Sequence, residues 1–508
     1  MKNLKHIIIR SAAVDSLRAS AMGIVLCAMM CVMMLVAACT PTPENPQIVE
    51  SLPPMYPDYA DVTIPRNIAP LNFLLRGDFD GVEAVAAVDG QRIQANSSDN
   101  TVRFDIDEWK ALLAHAVGKD ISVTVTARHD GTWRTYKTFT WSVVADSLDP
   151  YLTYRLIEPD YEIWNQISIR ERCVETFDER AISDHSLVDN RCMNCHTYAN
   201  RDPRLSMLYV RGEGGGAILN RDGHLSKLGI KTADMVSGSV YFGFSPSGRY
   251  ITFSTNVIIP AFHSMPSKRL EVFDSASDVY VADMETNTIL RSPLLSDSTV
   301  FETFPTFTPD GRYIYYCAAR KVALPQDLEH LQYHLVRIPF DERTGTIGSE
   351  VDTLRLEGTH RSVCHPRVSP DGRHLLYTVQ AYGTFPIWHP EADLQMMDLQ
   401  TGAIDTLAMV NSDKSDPYHS WSSNSRWFVF TSKRGDGMYA QLFLSSIDDQ
   451  GRCTKPFLLP QRNPRKYYSE LFDSYNVPDF TAEPVQFDVR EAQRQVEHNE
   501  RVQVTPKY

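Results

Sequence analysis

The sequence predicts an all-β protein: a small sandwich followed by a propeller of six or seven blades. Three observations carry this. Aromatic residues make up 10% of the chain, with 23 Tyr and 22 Phe, a composition suited to pleated, half-buried surfaces. The 30 Pro and 25 Gly are spread along the chain, which suits many turns better than long helices. A strand–turn–strand unit also recurs beyond residue 240, with Arg249, Arg312, Arg373 and Arg426 in register.

The 508 residues allow two to four domains at about 150 residues each. Hydrophobic and charged fractions of 43% and 22% are those of a globular protein. The net charge of −13 argues against nucleic acid as a partner. No apolar run of spanning length follows residue 40, which excludes a polytopic membrane protein.

The N-terminus reads as an address. Lys2, Lys5, Arg10 and Arg18 precede an apolar stretch from Ala21 to Ala38, the pattern of an export signal. Its end, Leu35-Val36-Ala37-Ala38-Cys39, resembles the bacterial lipobox. That resemblance implies cleavage of residues 1–38, lipid on the Cys39 thiol, and a periplasmic protein anchored to the outer rather than the inner membrane. An uncleaved anchor helix is the alternative, since the stretch is nearly long enough to span. Residues 39–60 hold Pro41, Pro43, Pro46, Pro53, Pro54 and Pro57 and read as an extended spacer.

Residues 61–147 read as short strands. Ile121–Ala127 alternates apolar and polar, His129-Asp130-Gly131 turns the chain, and Thr135–Trp141 returns it. Such strands resemble an immunoglobulin-like sandwich, a spacer or docking module with no catalytic constellation.

Residues 148–475 carry the repeat. Phe244-Ser245-Pro246-Ser247-Gly248-Arg249 is the first copy, then Phe307-Thr308-Pro309-Asp310-Gly311-Arg312 and Val368-Ser369-Pro370-Asp371-Gly372-Arg373. Trp421-Ser422-Ser423-Asn424-Ser425-Arg426 is a degenerate fourth. Each is a hairpin followed by a second hairpin, hence four strands per repeat and a propeller blade. These copies resemble the TolB-like β-propeller repeat, which implies the fold but no chemistry. Residues 150–185, with strand-like Ile167–Arg170, are expected to complete a blade with the C-terminal segment, 476–508, and so remove exposed sheet edges.

Cys192-Met193-Asn194-Cys195-His196 is the C-x-x-C-H pattern of c-type heme attachment. Two thiols at this spacing reach the two vinyl groups of one heme, and the adjacent histidine falls under the iron as its proximal ligand. At this chain's Cys and His content, chance gives about 0.005 such patterns. A redox C-x-x-C pair would want a βαβ context, and a zinc site a second ligand pair, and neither is evident. Aligning Arg204 with the blade arginines places Cys195–Tyr198 on the first strand of a blade, with Asn200–Pro203 as its turn and Ser206–Val210 as its second strand. No long amphipathic helices flank the motif, so the heme is expected on a blade. A lipoprotein of this kind resembles exported proteins of the Bacteroidetes, and that likeness implies periplasmic electron handling.

For the other side of the iron, His263 ranks first, in the insert between strands two and three of its blade. His389 lies in the equivalent insert two blades on, His419 starts another first strand, and Met207 lies on the neighbouring strand. An open sixth site is the remaining alternative and would favour small-ligand chemistry. Cys317 and Cys364 lie on neighbouring blades and either pair or act as buried small apolar residues.

The expected function is therefore electron transfer by one heme c with a periplasmic or membrane redox protein, the membrane being reached through the lipid. An interaction platform with structural heme and a small-ligand heme enzyme or sensor are the rivals. No Ser-His-Asp, paired-carboxylate or phosphate-loop pattern stands out, so an electron-transfer or binding role is expected over catalysis.

Overall fold

The structure, a computed structural model, describes residues 42–158, 167–184, 192–265, 268–356, 361–498 and 500–507. The expected export signal and Cys39 lie outside the described residues.

The repeat motif builds its hairpins by hydrogen bonds that each residue type is suited to make. In the second copy the Thr308 Oγ1 accepts from the Tyr313 amide at 3.1 Å, and Asp310 Oδ1 accepts from the Arg312 amide at 3.1 Å. Gly311 takes a φ of 69°, which glycine adopts without cost. The third copy repeats this through Ser369, Asp371 and Gly372. In the degenerate copy Asn424 replaces the aspartate as acceptor, and Ser425 takes the left-handed position at φ 59°.

Six four-stranded units result, some with an added edge strand. Blade 1 begins with the inner strand Met193–Ala199, blade 2 with Ser239–Phe244 and blade 3 with Val300–Phe307. Blade 4 begins with Ser362–Val368 and blade 5 with His419–Trp421. In blade 6 the inner strand is Ser474–Thr481, and the outer three come from near the start of the propeller: Tyr151–Ile157, Ser168–Cys173 and Glu179–Asp184. Each inner strand contacts the next, and that of blade 6 contacts that of blade 1, so the ring is closed. The closing blade thus joins both ends of the propeller as expected, but its inner strand runs through the expected boundary at 475/476. Beyond it, Val502–Gln503 and Thr505–Lys507 add parallel edge strands to blades 1 and 2. Satisfying those edges removes sites for pairing with other chains.

In blade 1 the turn differs from expectation. Asn200 and Arg201 both have positive φ, at 47° and 63°, so a two-residue turn leads directly into a second strand spanning Asp202–Val210. In blade 2 the expected insert is itself sheet: Tyr250–Met265 and Lys268–Asp283 form one long hairpin.

The N-terminal domain is a β-sandwich. Its larger sheet runs from Gln91–Ser97 through Gly81–Val88 and Asp120–His129 to Thr132–Thr135 and Phe139–Val144. Asp130 and Gly131, at φ 50° and 72°, make the tight turn expected between them. The smaller sheet is Met55–Tyr56, Phe73–Leu75 and Thr101–Val102. One element was not expected: a helix over Ile106–Ala116, capped by Asp105, whose carboxylate accepts from the Asp107 and Glu108 amides. It buries Trp109 against Trp141, and their indole N–H groups donate to the Ile68 and Tyr59 carbonyls at 2.8 Å.

The proline-rich segment is not a free spacer. Gln47–Ile48 pairs with Arg134–Thr135, Met55–Tyr56 pairs with Leu74–Leu75, and Tyr59 and Ala60 are buried. Apolar side chains spaced between the prolines have a core to enter, and that outweighs the extended preference of proline. The sandwich shares one apolar cluster with blade 5. Tyr59 Oη donates to the Leu458 carbonyl at 3.1 Å, and Lys455 pairs with Asp58 at 2.9 Å. The two domains therefore pack as one body here, and the sandwich is more than a spacer.

Candidate functional site

A β-bulge recurs in the inner strands and fixes the site. In blade 2, Tyr241 and Phe242 are two residues opposite one, between the pairs Val240–Ser254 and Gly243–Thr252. The same irregularity holds Phe304-Pro305 in blade 3, His365-Pro366 in blade 4 and Val477-Pro478 in blade 6. Tyr241, Phe304, His365 and Val477 all take the left-handed conformation, with φ between 48° and 53°. All four line one cavity of about 350 Å³ at the centre of the ring. That volume lies at the lower end of small-molecule pockets, which run from about 300 to 1,000 Å³.

Blade 1 carries the bulge at the C-x-x-C-H stretch, Cys192–His196. The pairs Asn194–Tyr209 and Thr197–Met207 leave Cys195 and His196 as its two bulged residues. The motif thus sits on a strand, at the register that faces the axis in the other blades. Cys192, Asn194 and His196 line the cavity. The side chain of Cys195 lies outside the described residues.

His196 is buried, and its Nε2 has no hydrogen-bond partner. Burial, aided by the positive fields of Arg155 and Arg367, pushes its pKa down to about 3 against a hydrogen bond to the Val477 backbone. It is a neutral imidazole, the form that ligates metal, held at one end by backbone and idle at the other. Cys192 is also buried, its thiol receives a hydrogen bond from Asn194 Nδ2 at 3.2 Å, and burial raises its pKa. Arg155 in turn bonds the Asn194 side-chain oxygen.

The rest of the lining divides by chemistry. Val240, Phe242, Ile258, Val272, Ile387 and Trp388 give apolar walls. Arg155, Arg211, Arg367 and Lys433 are cationic, against the single carboxylate of Glu158. Lys433 stacks on Trp388 at 4.9 Å, and burial lowers its pKa to about 8.

A covalent heme needs two thiols, an idle imidazole nitrogen, apolar walls for the porphyrin and cations for two propionates, and the described residues supply one thiol, Cys192, with the imidazole, the walls and the cations. Among the described residues no group of three or more His, Cys, Asp and Glu is placed to hold a bare metal ion.

The candidate sixth ligands separate. His263 is on the long hairpin of blade 2, whose Ile258 and Val272 reach the cavity, but its side chain lies outside the described residues. His389 does not line the cavity: its Nδ1 meets Glu391 at 2.9 Å and its Nε2 faces buried Glu271 at 3.5 Å. His419 occupies the register of His196, but its Nε2 bonds the Leu376 carbonyl at 3.1 Å, away from the cavity. Met207 is buried in the apolar cluster between blades 1 and 2. Sequence reasoning missed His365, which does line the cavity. Its signal was available: His365 precedes Ser369 by the interval that separates Tyr241 from Ser245 and Cys195 from Ala199.

Cys317 and Cys364 pack in one apolar cluster as free thiols, the second of the two expected states.

No protein-family model and no curated protein matches this sequence. Among solved structures, TolB from Acinetobacter baumannii is similar at 12% identity, covering 74% of this chain and 85% of its own, with a TM-score of 0.42. A putative 6-phosphogluconolactonase from Bacteroides uniformis is similar at 11% identity, covering 78% and 100%, with a TM-score of 0.33. An oligogalacturonate lyase from Vibrio parahaemolyticus follows at 8% identity, covering 56% and 85%, with a TM-score of 0.30. Likenesses this distant say nothing of what this chain binds, and the propeller stands on its own six sheets.

Proposed function

We propose that this chain is an exported, lipid-anchored c-type cytochrome that exchanges electrons with a periplasmic or membrane redox protein. One heme c is held by Cys192 and Cys195, with His196 as its proximal ligand. The observation that supports this most is that Cys192 and His196 line one cavity on the propeller axis while His196 Nε2 is buried without a partner.

The bound heme supplies a one-electron couple. The chain's residues do the rest. The Val477 backbone fixes the His196 ring, the aromatic walls exclude water, and Arg155, Arg211, Arg367 and Lys433 offset the negative charge of propionates. The tether is assigned to lipid on Cys39, which ends the lipobox-like stretch Leu35-Val36-Ala37-Ala38-Cys39. The propeller also suits the rival reading, an interaction platform in which heme is structural.

The test is production in a host that matures c-type cytochromes, followed by heme staining after denaturing electrophoresis. The expected result is a stained band that disappears in the Cys192→Ala, Cys195→Ala double variant. An unstained wild type overturns the cytochrome and leaves the platform. Stained protein that no chemical titration reduces reversibly leaves the platform with structural heme.

A further inference from the structure

We infer that His365 is the sixth, distal ligand of the iron, so that the heme is clamped between two histidines from opposite blades. This rests on the heme reading above. The six inner strands form a closed ring in chain order, so blades 1 and 4 face each other across the axis. His196 is on the first and His365 on the fourth, and both line the same cavity.

The bulge explains how a strand residue comes to point at the axis. In blades 2, 3, 4 and 6 the left-handed residue of this irregularity lines the cavity, and among these four it is a histidine in blade 4. The backbone strain belongs to the fold, since Tyr241 and Phe304 share it. The ligating nitrogen belongs to this position.

His365 also has its nitrogens to spare. Its ring packs on Phe304 at 3.9 Å and Tyr418 at 5.0 Å between centroids; its backbone bonds Cys317 and His419, and among the described residues its ring nitrogens make no hydrogen bond. His389 and His419 do not line the cavity, and each has a ring nitrogen bonded, to Glu391 and to the Leu376 carbonyl. Burial holds the His365 ring neutral, and Arg367, which also faces His196, adds to this. A neutral imidazole in an apolar setting is a ready ligand.

The experiment compares optical spectra of the wild-type holoprotein with His365→Phe and His365→Met. Phenylalanine already occupies this register in blade 3 as Phe304, so the substitution keeps the ring packing. The wild type is expected to be low-spin and indifferent to carbon monoxide. His365→Phe is expected to keep its heme stain, lose the low-spin bands, bind carbon monoxide stoichiometrically, and regain low-spin bands with added imidazole. His365→Met is expected to stay low-spin with a raised potential. Stained His365→Phe protein with an unchanged spectrum overturns the assignment and moves it to His263, whereas a wild type that binds carbon monoxide overturns it in favour of an open sixth site. An unstained wild type removes both this inference and the reading beneath it, and the stain tells the two failures apart.

Discussion

Leu152 and Phe480 are backbone partners in one sheet, the first near the start of the propeller and the second in its last inner strand, and neither exposes any surface. This pairing closes the ring. The same inner strand supplies Val477, whose backbone orients His196, so ring closure and the candidate site share a strand.

Phe480→Ala is therefore expected to cost about 3–5 kcal/mol, the range for removing a buried aromatic side chain. Chemical unfolding followed by tryptophan fluorescence checks this. A cost below about 1 kcal/mol would mean that the closing blade adds little to the ring.

The packed interface between blades 2 and 3 holds two carboxyls that burial raises, Asp274 to about 7 and Glu302 to about 8. Asn256 donates to Asp274 at 3.0 Å and the Asp297 amide to Glu302 at 3.1 Å, with Asp278, Lys321 and Tyr333 nearby. The folded state binds more protons here than the unfolded chain between their ordinary values of 3.8 and 4.5 and these raised ones. Their contribution is complete in acid and lost as pH rises through about 7 and 8. The Asp274→Asn, Glu302→Gln variant should thus melt increasingly above wild type as pH goes from about 4 to about 8. A difference in melting temperature that does not change with pH would sink this.

His419→Phe and His389→Leu are expected to leave the heme spectrum of folded protein unchanged. Phenylalanine fits the His419 register, since blade 2 has Phe242 there, and the lost bond to the Leu376 carbonyl costs about 1–3 kcal/mol of stability. Carbon monoxide binding by either variant would contradict the geometry.

Cys39→Ala is expected to block lipid attachment. Detergent phase partitioning and intact mass report it: the variant should keep its signal and lack the diacyl modification. A normal mature mass would exclude the lipobox reading.

Much of this protein is legible in its sequence because local chemistry decides it. The Ser/Thr-Pro-Asp-Gly-Arg copies dictate their own hairpins through Thr308, Asp310 and Gly311, whatever surrounds them. The proposed heme attachment at Cys192, Cys195 and His196 is read from spacing alone, since such attachment depends on a five-residue stretch. The helix over Ile106–Ala116 was readable too, from Asp105 three residues before Glu108, but the alternating strands on both sides obscured it.

Ligand geometry was not legible, because it depends on which strands meet across the axis. His263, ranked first, and His389, His419 and Met207 were all candidates by place in the repeat, yet packing sets His389 against Glu271 and Glu391, bonds His419 to a carbonyl and buries Met207 in a core. His365 acquires its position from a bulge in its own strand and from ring closure by a strand more than a hundred residues later. Sequence sets which hairpins form and where the proposed heme would attach. Only the closed ring, in which opposite inner strands converge on one cavity, decides which side chains face it.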